Sequence, residues 1–555
     1  MALRRRRQAA RVGGVPHPRH LRRPAGQAVG GRSAGRPGGL GDRGTAARRA
    51  RVGHPAAARR GRGAGGRGQA ADHRHRAGDR KPDLRGDRCP GHRQLRGARH
   101  LLAQPAHPQP ARPGRLQAGR GRPVRAARRT ARTHLVHLTA AGTGSGRPRP
   151  QPRSHMTAEA ATRAHVVGSE EEALELARRL AAEFAPGASE RDAQRRLPVE
   201  ELDALSASGL LGITVPAAHG GAEVPTRTLV EVFRLLAAAD PNIAQIPQSH
   251  VVYVNVLREN GTPAQQRYFF AEVLAGRRFG NAQSESGSRN AQDIRTRLAA
   301  GPDGDFVLDG TKAYSTGALL AHWIPVLAKD DDDALRVAYV PSDAAGLTVV
   351  DDWGGMGQRT TASGTVRLEQ VRVPAANVVA HHRTFERPQL HGALAQVLHA
   401  AIDVGIARAA LDDAAAFVRT RSRPWADSGV ERAGDDPLTI QRFGELEIRV
   451  RAAEALLDRA AAAVDEARGD LDDDSAAAAS IAVATAKAFA DGTAVELGSA
   501  LFEVSGTRSS LAETNLHRHW RNARTHTLHD PVRWKVQHIG RYALNGTHPP
   551  RAGQI

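Results

Sequence analysis

The chain has 555 residues and carries 80 Lys and Arg against 57 Asp and Glu. Residues 1–155 hold 37 Arg, 1 Lys and 5 Asp, a net charge of +33, whereas residues 156–555 hold 42 basic and 52 acidic residues, a net of −10. The pI of about 11.3 therefore gives no reason to expect a nucleic-acid partner for residues 156–555, and the lack of 18 consecutive apolar residues argues against a membrane span.

Residues 1–155 contain no Glu, Phe, Tyr, Trp, Ile or Asn. They cannot bury enough apolar surface to offset the entropy of ordering the backbone, so we predict that they are disordered. A basic arm that binds nucleic acid, a transit peptide and translation of a GC-rich gene from a wrong upstream start are the three interpretations. A transit peptide would also be Ser-rich and amphipathic. We favour the third, with Met156 as the start, because the loss of six common residue types with an excess of Arg, Gly, Pro, Ala and His is what such a reading of a GC-rich gene gives.

Cysteine is confined to this first segment, at Cys89. Residues 156–555 therefore offer no disulfide and no thiolate ligand, and we predict no metal site there. The absence of cysteine from residues 156–555 fits the reducing cytoplasm, where we expect the protein to work.

The first part of the remaining chain, residues 156–275, has a helical pattern. Ser169 and Glu172 have the spacing of a capping box at a helix start. Apolar residues recur on one face of the helix that follows, at Ala173, Leu176, Leu180 and Phe184. Two more helices are predicted over 228–239 and 264–275.

The second part, residues 276–388, changes to a period of two. Residues 306–310, 337–341, 347–350 and 365–373 are predicted as strands between Gly, Asp and Pro. The third part, residues 389–555, is helical again in long Ala- and Leu-rich segments, and the Ala-rich stretch 475–490 suits a helix bundle. The order α, β, α predicts an α+β protein of three domains with these bounds.

Two histidines close to the C-terminus form the most informative local pattern. His526 and His529 stand three residues apart, beside Arg524 and Asp530, and Pro531 closes the run. On a helix these imidazoles would share a face and could move protons around an anionic group in one cavity. The alternative is a helix end with histidines facing solvent, since such ends favour His and Arg.

Several stretches, taken in order, resemble the acyl-CoA dehydrogenase superfamily. They are the runs 209–216 with Gly220-Gly221, 280–285 beside one flavin edge and 308–318 beside the other. The resemblance implies an N-terminal α-helical domain, a middle β-barrel or sandwich domain and a C-terminal four-helix bundle. It also implies a homo-oligomer, with a tetramer expected.

The chain departs from the dehydrogenases where those enzymes carry a catalytic Glu. Leu528-His529-Asp530-Pro531 stands at that place, and Asp530 followed by Pro is a poor copy of the base. The run 524–531 instead resembles the reduced-flavin monooxygenases of the dibenzothiophene desulfurisation type. Residues 156–555 are most similar to the sulfur-acquisition oxidoreductases of that branch, with support from 351–353, 357–361, 421–425 and 502–506.

This resemblance implies a two-component flavoenzyme. We expect FMNH₂ from a separate NAD(P)H-dependent flavin reductase, because residues 156–555 contain no NAD(P)H fingerprint. O₂ would then form a flavin C4a-peroxide that oxygenates a small organosulfur compound. The alternatives are an FAD-dependent acyl-CoA dehydrogenase acting on an acyl thioester, and a flavin- or nucleic-acid-binding protein without catalysis.

The resemblance assigns roles to residues along the cavity. His526 and His529 would handle the peroxide proton, because such a peroxide needs a tuned proton donor. Thr316 matches a hydroxyl near flavin N5, and Asn281 and Ser284 would bond the pyrimidine edge.

Other matched residues would hold the phosphate or form the cavity wall. Arg423 and Arg508 match positions that bind the FMN phosphate, and interhelix ion pairs are the alternative. Trp353 would line the flavin or substrate pocket, unless it packs in the core.

The substrate side departs from the dibenzothiophene type. Gln245 and Ser249 align with a His and a Tyr of that enzyme, and His250 follows them. A smaller and more polar wall favours a small organosulfur substrate. His250 is expected either in this pocket or as a satisfied core histidine.

Overall fold

The computed structural model describes residues 164–290 and 292–554. The predictions for residues 1–155 lie outside these ranges. Six helices come first: α1 (Glu170–Phe184), α2 (Ala188–Gln194), α3 (Val199–Ala207), α4 (Thr226–Ala239), α5 (Pro241–Asn260) and α6 (Pro263–Leu274). The Ser169 hydroxyl accepts the Glu172 backbone N–H at 3.2 Å, as a helix cap should. The Glu172 carboxylate, however, accepts from the Gly168 N–H at 2.7 Å, so only half of the predicted capping box forms.

A mostly antiparallel sheet follows, with the order β5-β6-β2-β1-β3-β4-β7. Its strands are β1 (Arg297–Ala300), β2 (Phe306–Lys312), β3 (Trp323–Lys329), β4 (Leu335–Pro341), β5 (Leu347–Val350), β6 (Thr365–Val373) and β7 (Val378–Val379). β1 and β3 are the parallel pair. Along β6, Val366 and Leu368 are buried while Arg367 and Glu369 are exposed, the alternation of a sheet with one wet face.

Five long or medium helices complete the fold: α7 (His391–Thr420), α8 (Pro437–Gly469), α9 (Asp473–Ser505), α10 (His517–His526) and α11 (Val532–Asn545). α7 is the central element and packs against α4, α5, α8, α9 and α10. By length and composition α7 could cross a membrane, but 89% of its apolar window is buried inside the protein. That burial is what a core helix shows.

The early and late helices share one hydrophobic core, which extends from Val167 to Ala523. The sheet has a separate core on one face and packs its other face against α5 and α6. The helical, sheet and helical parts confirm the predicted fold class. They meet where α5, the sheet and α7 come together, and that junction positions the site.

Candidate active site

The junction encloses a cavity of about 770 Å³, which is large enough for a cofactor together with a small substrate. α5, the β5–β6 loop (residues 351–364), α7 and the turn after α10 each contribute part of the wall. Seven of the predicted site residues line it: Gln245, Ser249, Asn281, Ser284, Thr316, Trp353 and His529. The fold therefore brings these residues together in one cavity from segments that lie far apart in the chain.

Three histidines cluster at one end of this cavity. His526 is fully buried, and its ring lies 4.9 Å from that of His529 and 5.1 Å from that of His399. α10 ends at His526, so His529 lies in the turn beyond the helix and not on the predicted helical face. The Pro531 ring disfavours helix at the residue before it, which fits the early end. His399 and His529 line the cavity, whereas His526 backs them.

Hydrogen bonds fix the position of this cluster. His526 Nδ1 lies 2.6 Å from Asp403 Oδ1, and His526 Nε2 lies 3.0 Å from Gln245 Oε1. His529 Nδ1 donates to the His526 carbonyl at 2.6 Å. The histidine nitrogens lie within 4.8 Å of one another, a spacing that metal ligands also have. Both nitrogens of His526 are already engaged, so the arrangement favours a hydrogen-bonded network.

Burial sets the protonation of the cluster. It lowers the pKa of His399, His526 and His529 below the ordinary histidine range, and the neighbouring rings lower it further for the first two. The surface of His529 that remains accessible faces the cavity. The lowered pKa values favour the neutral imidazoles, which is the form that can accept a proton and pass one on.

Three buried charged residues lie behind His526. Lys487 Nζ donates to Asp491 Oδ1 at 2.6 Å and to Asp403 Oδ2 at 3.5 Å. Burial raises the pKa of Asp403, and burial together with Asp403 raises the pKa of Asp491 to about 8. Burial alone would lower the pKa of Lys487, but the two carboxyl groups outweigh it and raise that pKa.

Hydroxyl groups form the opposite wall. Ser363 Oγ lies 3.2 Å from Thr316 Oγ1 and 2.8 Å from Thr361 Oγ1, and the Thr361 hydroxyl donates to the Gln358 carbonyl at 3.0 Å. The Gln358 side chain is buried at the cavity, and neither its amide oxygen nor its nitrogen has a partner among the described residues. A buried amide without partners is costly, so this residue indicates a ligand with polar edges.

Two further predicted residues lie on this side. The Trp353 indole donates to the Gln358 carbonyl at 2.7 Å and packs edge-on to Tyr314 at 6.1 Å, so it forms cavity wall. The Asn281 amide oxygen accepts from the Tyr253 hydroxyl at 3.3 Å. Among the residues that the structure describes, none accepts from the Asn281 amide nitrogen, which can donate into the cavity that Asn281 lines.

His250 does not line the cavity. Its Nδ1 accepts the Phe279 backbone N–H at 3.0 Å, and its Nε2 donates to the Leu211 carbonyl at 3.0 Å. Burial lowers the pKa of His250 to about 4. Of the two expectations for His250, the core histidine is the one observed, because both ring nitrogens bond α5 to neighbouring backbone groups.

Arg423 and Arg508 do not line the cavity within this chain either. Both are exposed, in the segments that follow α7 and α9. The Arg508 guanidinium donates to the Arg421 carbonyl at 3.0 Å, so the two segments lie together. This Arg508 contact is with a backbone carbonyl, so it is not the interhelix ion pair considered as the alternative.

His399, Asp403 and the Lys487–Asp491 pair were not among the residues predicted for the site. A signal was present, since His399 and Asp403 lie four residues apart within the apolar run of α7, and Lys487 and Asp491 have the same spacing in Ala-rich α9. Polar residues at helical spacing on a buried face require partners, which identifies them as candidates for a functional site.

Comparison with known proteins supports the same identification. Acyl-CoA dehydrogenase N-terminal, middle and C-terminal domains match residues 169–277, 279–371 and 397–534. Dibenzothiophene monooxygenase of Rhodococcus erythropolis is 33% identical over 398 residues, covering 67% of this chain and 93% of its own length. The probable FMNH₂-dependent monooxygenase SfnC of Pseudomonas putida is 33% identical over 393 residues, covering 68% and 96%.

A solved structure agrees with these relatives. Methanesulfinate monooxygenase MsuC of Pseudomonas fluorescens is 33% identical, with a TM-score of 0.65 over 69% of this chain and 99% of its own. The predicted resemblance is confirmed. The chain belongs to the acyl-CoA dehydrogenase family, in the monooxygenase branch that contains dibenzothiophene monooxygenase and SfnC.

Proposed function

We propose that the protein is an FMNH₂-dependent monooxygenase that inserts one oxygen atom of O₂ into a small organosulfur compound. The His399–His526–His529 cluster at the cavity is the observation that carries this proposal. A dehydrogenase needs a carboxylate base there. An oxygenase needs a proton donor in a site from which bulk water is excluded. SfnC, described as FMNH₂-dependent, and the methanesulfinate enzyme MsuC support it.

The cavity residues fit FMN. Thr316, Asn281 and Ser284 offer polar groups for the flavin ring, and Trp353 forms an aromatic wall beside them. The partnerless Gln358 amide supplies a donor and an acceptor that a flavin edge would satisfy. Reduced FMN, when bound, supplies the two electrons that activate O₂, and a separate NAD(P)H-dependent reductase would provide it.

Substrate size follows from the wall near the histidines. Gln245 and Ser249 are buried amide and hydroxyl groups at the cavity, and Gln245 is held by His526 and His529. Polar groups in these positions favour a compact and polar sulfur compound over a fused aromatic ring.

We further propose that the protein is a homo-oligomer, namely a tetramer, and that it works in the cytoplasm. Arg423 and Arg508 are exposed and outside their own cavity, so they would reach the FMN phosphate only of another copy. Trp425 and Ile448 are 72% and 69% exposed on the same C-terminal part. Such apolar surface favours an interface. Measuring the mass in solution with and without FMN tests this.

The second candidate is an acyl-CoA dehydrogenase, because Asp530 also lines the cavity and accepts from the Gln396 amide at 2.7 Å. The purified protein would be supplied with FMNH₂ and labelled O₂ and offered methanesulfinate, dibenzothiophene or butyryl-CoA. We expect one labelled oxygen atom in a sulfur product. Bleaching of bound flavin by butyryl-CoA, with only H₂O₂ from every sulfur compound, would instead establish the dehydrogenase.

A further inference from the structure

The charged residues behind the histidines cannot all be ionised at once without cost. Asp403 and Lys487 are fully buried and Asp491 is 4% exposed, so the group holds two carboxyl groups and one ammonium away from water. With both carboxylates ionised, the group would carry a net negative charge in a site of low dielectric. One shared proton makes it neutral. The pKa of Asp491, raised to about 8 by burial and by Asp403, agrees with that proton count.

The histidine tautomers follow from geometry. His529 Nδ1 faces a backbone carbonyl at 2.6 Å, so it carries the ring proton, and Nε2 of the neutral ring is bare. The Gln245 amide N–H donates to that nitrogen at 3.3 Å. The other end of the same amide is an oxygen, which can only accept, and it lies 3.0 Å from His526 Nε2. His526 therefore carries a proton on Nε2.

This assignment leaves one proton in the contact between His526 and Asp403. If the proton is on Asp403, the acid donates to a bare Nδ1, and if it is on His526, the ring is an imidazolium beside a carboxylate. Both states have the same 2.6 Å contact and the same count of protons. The buried carboxyl group can therefore exchange this proton directly with the histidine cluster.

His399 completes the connection to the cavity. Its Nδ1 lies 3.1 Å from His526 Nε2, so it shares the proton that His526 also directs at Gln245. With Nδ1 accepting, the neutral ring of His399 carries its own proton on Nε2. His399 lines the cavity, whereas His526 does not.

We propose that Asp403, Lys487 and Asp491 form an internal proton store, which delivers a proton to the cavity through His526 and His399. His399 releases its Nε2 proton to the reduced oxygen atom that leaves as water, and its Nδ1 takes the Nε2 proton of His526. Asp403 passes the one stored proton to His526 Nδ1, which leaves both carboxyl groups ionised beside Lys487 until a proton returns. This inference rests on the proposed function.

The overall reaction leaves the store unchanged. Substrate, FMNH₂ and O₂ give oxygenated substrate, FMN and water, so the two protons of FMNH₂ balance those of the water. The store donates one proton early and regains one when the oxidised flavin forms. His399 is the group at the cavity, and Asp403, Lys487 and Asp491 act through it as positioning residues.

Other titratable groups face this network. Asp530 and Lys535 follow α10, and burial lowers the pKa of Lys535 to about 8 while Asp530 opposes the change. α5 contributes only the neutral Gln245. The Asp413–His519 pair joins the same helices α7 and α10, with a 2.7 Å contact, but lies outside the cavity lining. It is a matched control because it has the same chemistry without access to the cavity.

The first test reads the store directly, on protein without flavin. Infrared spectra at pH 7 would be recorded for the wild type and for the Asp403→Asn, Asp491→Asn and Asp413→Asn variants. We expect a protonated carboxyl band that is lost in both of the first two, because removal of either acid leaves the other ionised beside Lys487. Asp413→Asn should keep the band, since Arg518 and His519 outweigh burial and lower the pKa of Asp413 to about 2.

The second test measures proton delivery to the cavity. His399→Gln should lower the product formed per O₂ consumed by about tenfold or more, with the loss partly restored by added imidazole. A band that survives in Asp491→Asn, or unchanged coupling in His399→Gln, overturns the proposal. If Asp403→Asn does not fold, Asp491→Asn alone decides. If the band is lost as expected but the protein oxygenates no sulfur compound, the proton store stands and the proposed function is wrong.

Discussion

The backbone N–H of Gln358 donates a 2.7 Å hydrogen bond to the side-chain oxygen of Asn522. This bond joins the β5–β6 loop to α10, the helix that ends at His526. Gln358 itself has a φ of 52°, a left-handed backbone that costs free energy for a residue with a side chain. A second bond, from the Arg521 guanidinium to the Met356 carbonyl at 2.7 Å, joins the same loop and helix. These contacts hold the hydroxyl wall and the histidines in register.

Gly357 makes these contacts sterically feasible. A Cβ atom at Gly357 would collide with the Arg521 carbonyl and the Asn522 backbone nitrogen. Gly357→Ala should lower the free energy of unfolding by about 1–3 kcal/mol through overpacking, and should weaken FMN binding because the loop moves off α10. Gly354→Ala is the control, since Gly354 in the same loop has no neighbour within 4 Å.

Urea unfolding and FMN titration of these two variants check the prediction. Equal stability and equal FMN affinity in Gly357→Ala and Gly354→Ala would show that the loop tolerates displacement from α10.

His529 should determine how O₂ is used without determining whether flavin binds. Its Nε2 is the neutral acceptor at the cavity, held by the Gln245 amide at 3.3 Å. His529→Phe keeps a ring of similar size and removes the proton acceptor. Product per O₂ should fall by about tenfold or more, the usual range for loss of an acid–base group, while FMN affinity stays close to the wild-type value.

His548→Phe on the surface serves as the comparison, because His548 is exposed and does not line the cavity, and its ring lies beside Asp474 and Tyr542. Titration of H₂O₂ and product after a single addition of FMNH₂ gives the ratio. A His529→Phe variant that retains wild-type coupling would remove this residue from the mechanism.

The sequence predicted the elements well where periodicity is strong. The strands expected over 347–350 and 365–373 are β5 and β6 with the same bounds. Resemblance to known families placed Thr316 and Trp353 in one cavity although 37 residues separate them in the chain. Local patterns and family motifs are sufficient for that level of description.

Features that depend on which helix faces meet were not accessible. Asp403 meets His526 across 123 residues, and nothing in the α7 sequence says which neighbour its carboxyl faces. The predicted helical face shared by His526 and His529 was wrong in detail, because α10 ends at His526. His250 resembled a pocket residue next to Ser249, but the rotation of α5 directs it at backbone groups instead.

His250 makes stability depend on pH, with a sign that follows from its burial. Its pKa falls from 6.5 to about 4 on folding because burial disfavours the charged ring. The unfolded chain therefore binds more protons between pH 6.5 and pH 4. Stability from this residue is fully present above pH 6.5 and is lost as the pH falls towards 4, by about 3 kcal/mol in total.

His250→Gln isolates this contribution. Glutamine can donate to the Leu211 carbonyl and accept from the Phe279 N–H, as His250 does, but it has no proton to gain. His322 and His391 also have pKa values lowered to about 4, so the wild type should lose stability from several sites. Between pH 7 and pH 5 the variant should lose about 2 kcal/mol less than the wild type. Urea unfolding at the two pH values measures this difference, and parallel losses in both proteins would mean that His250 is already charged, or solvated, in the folded state.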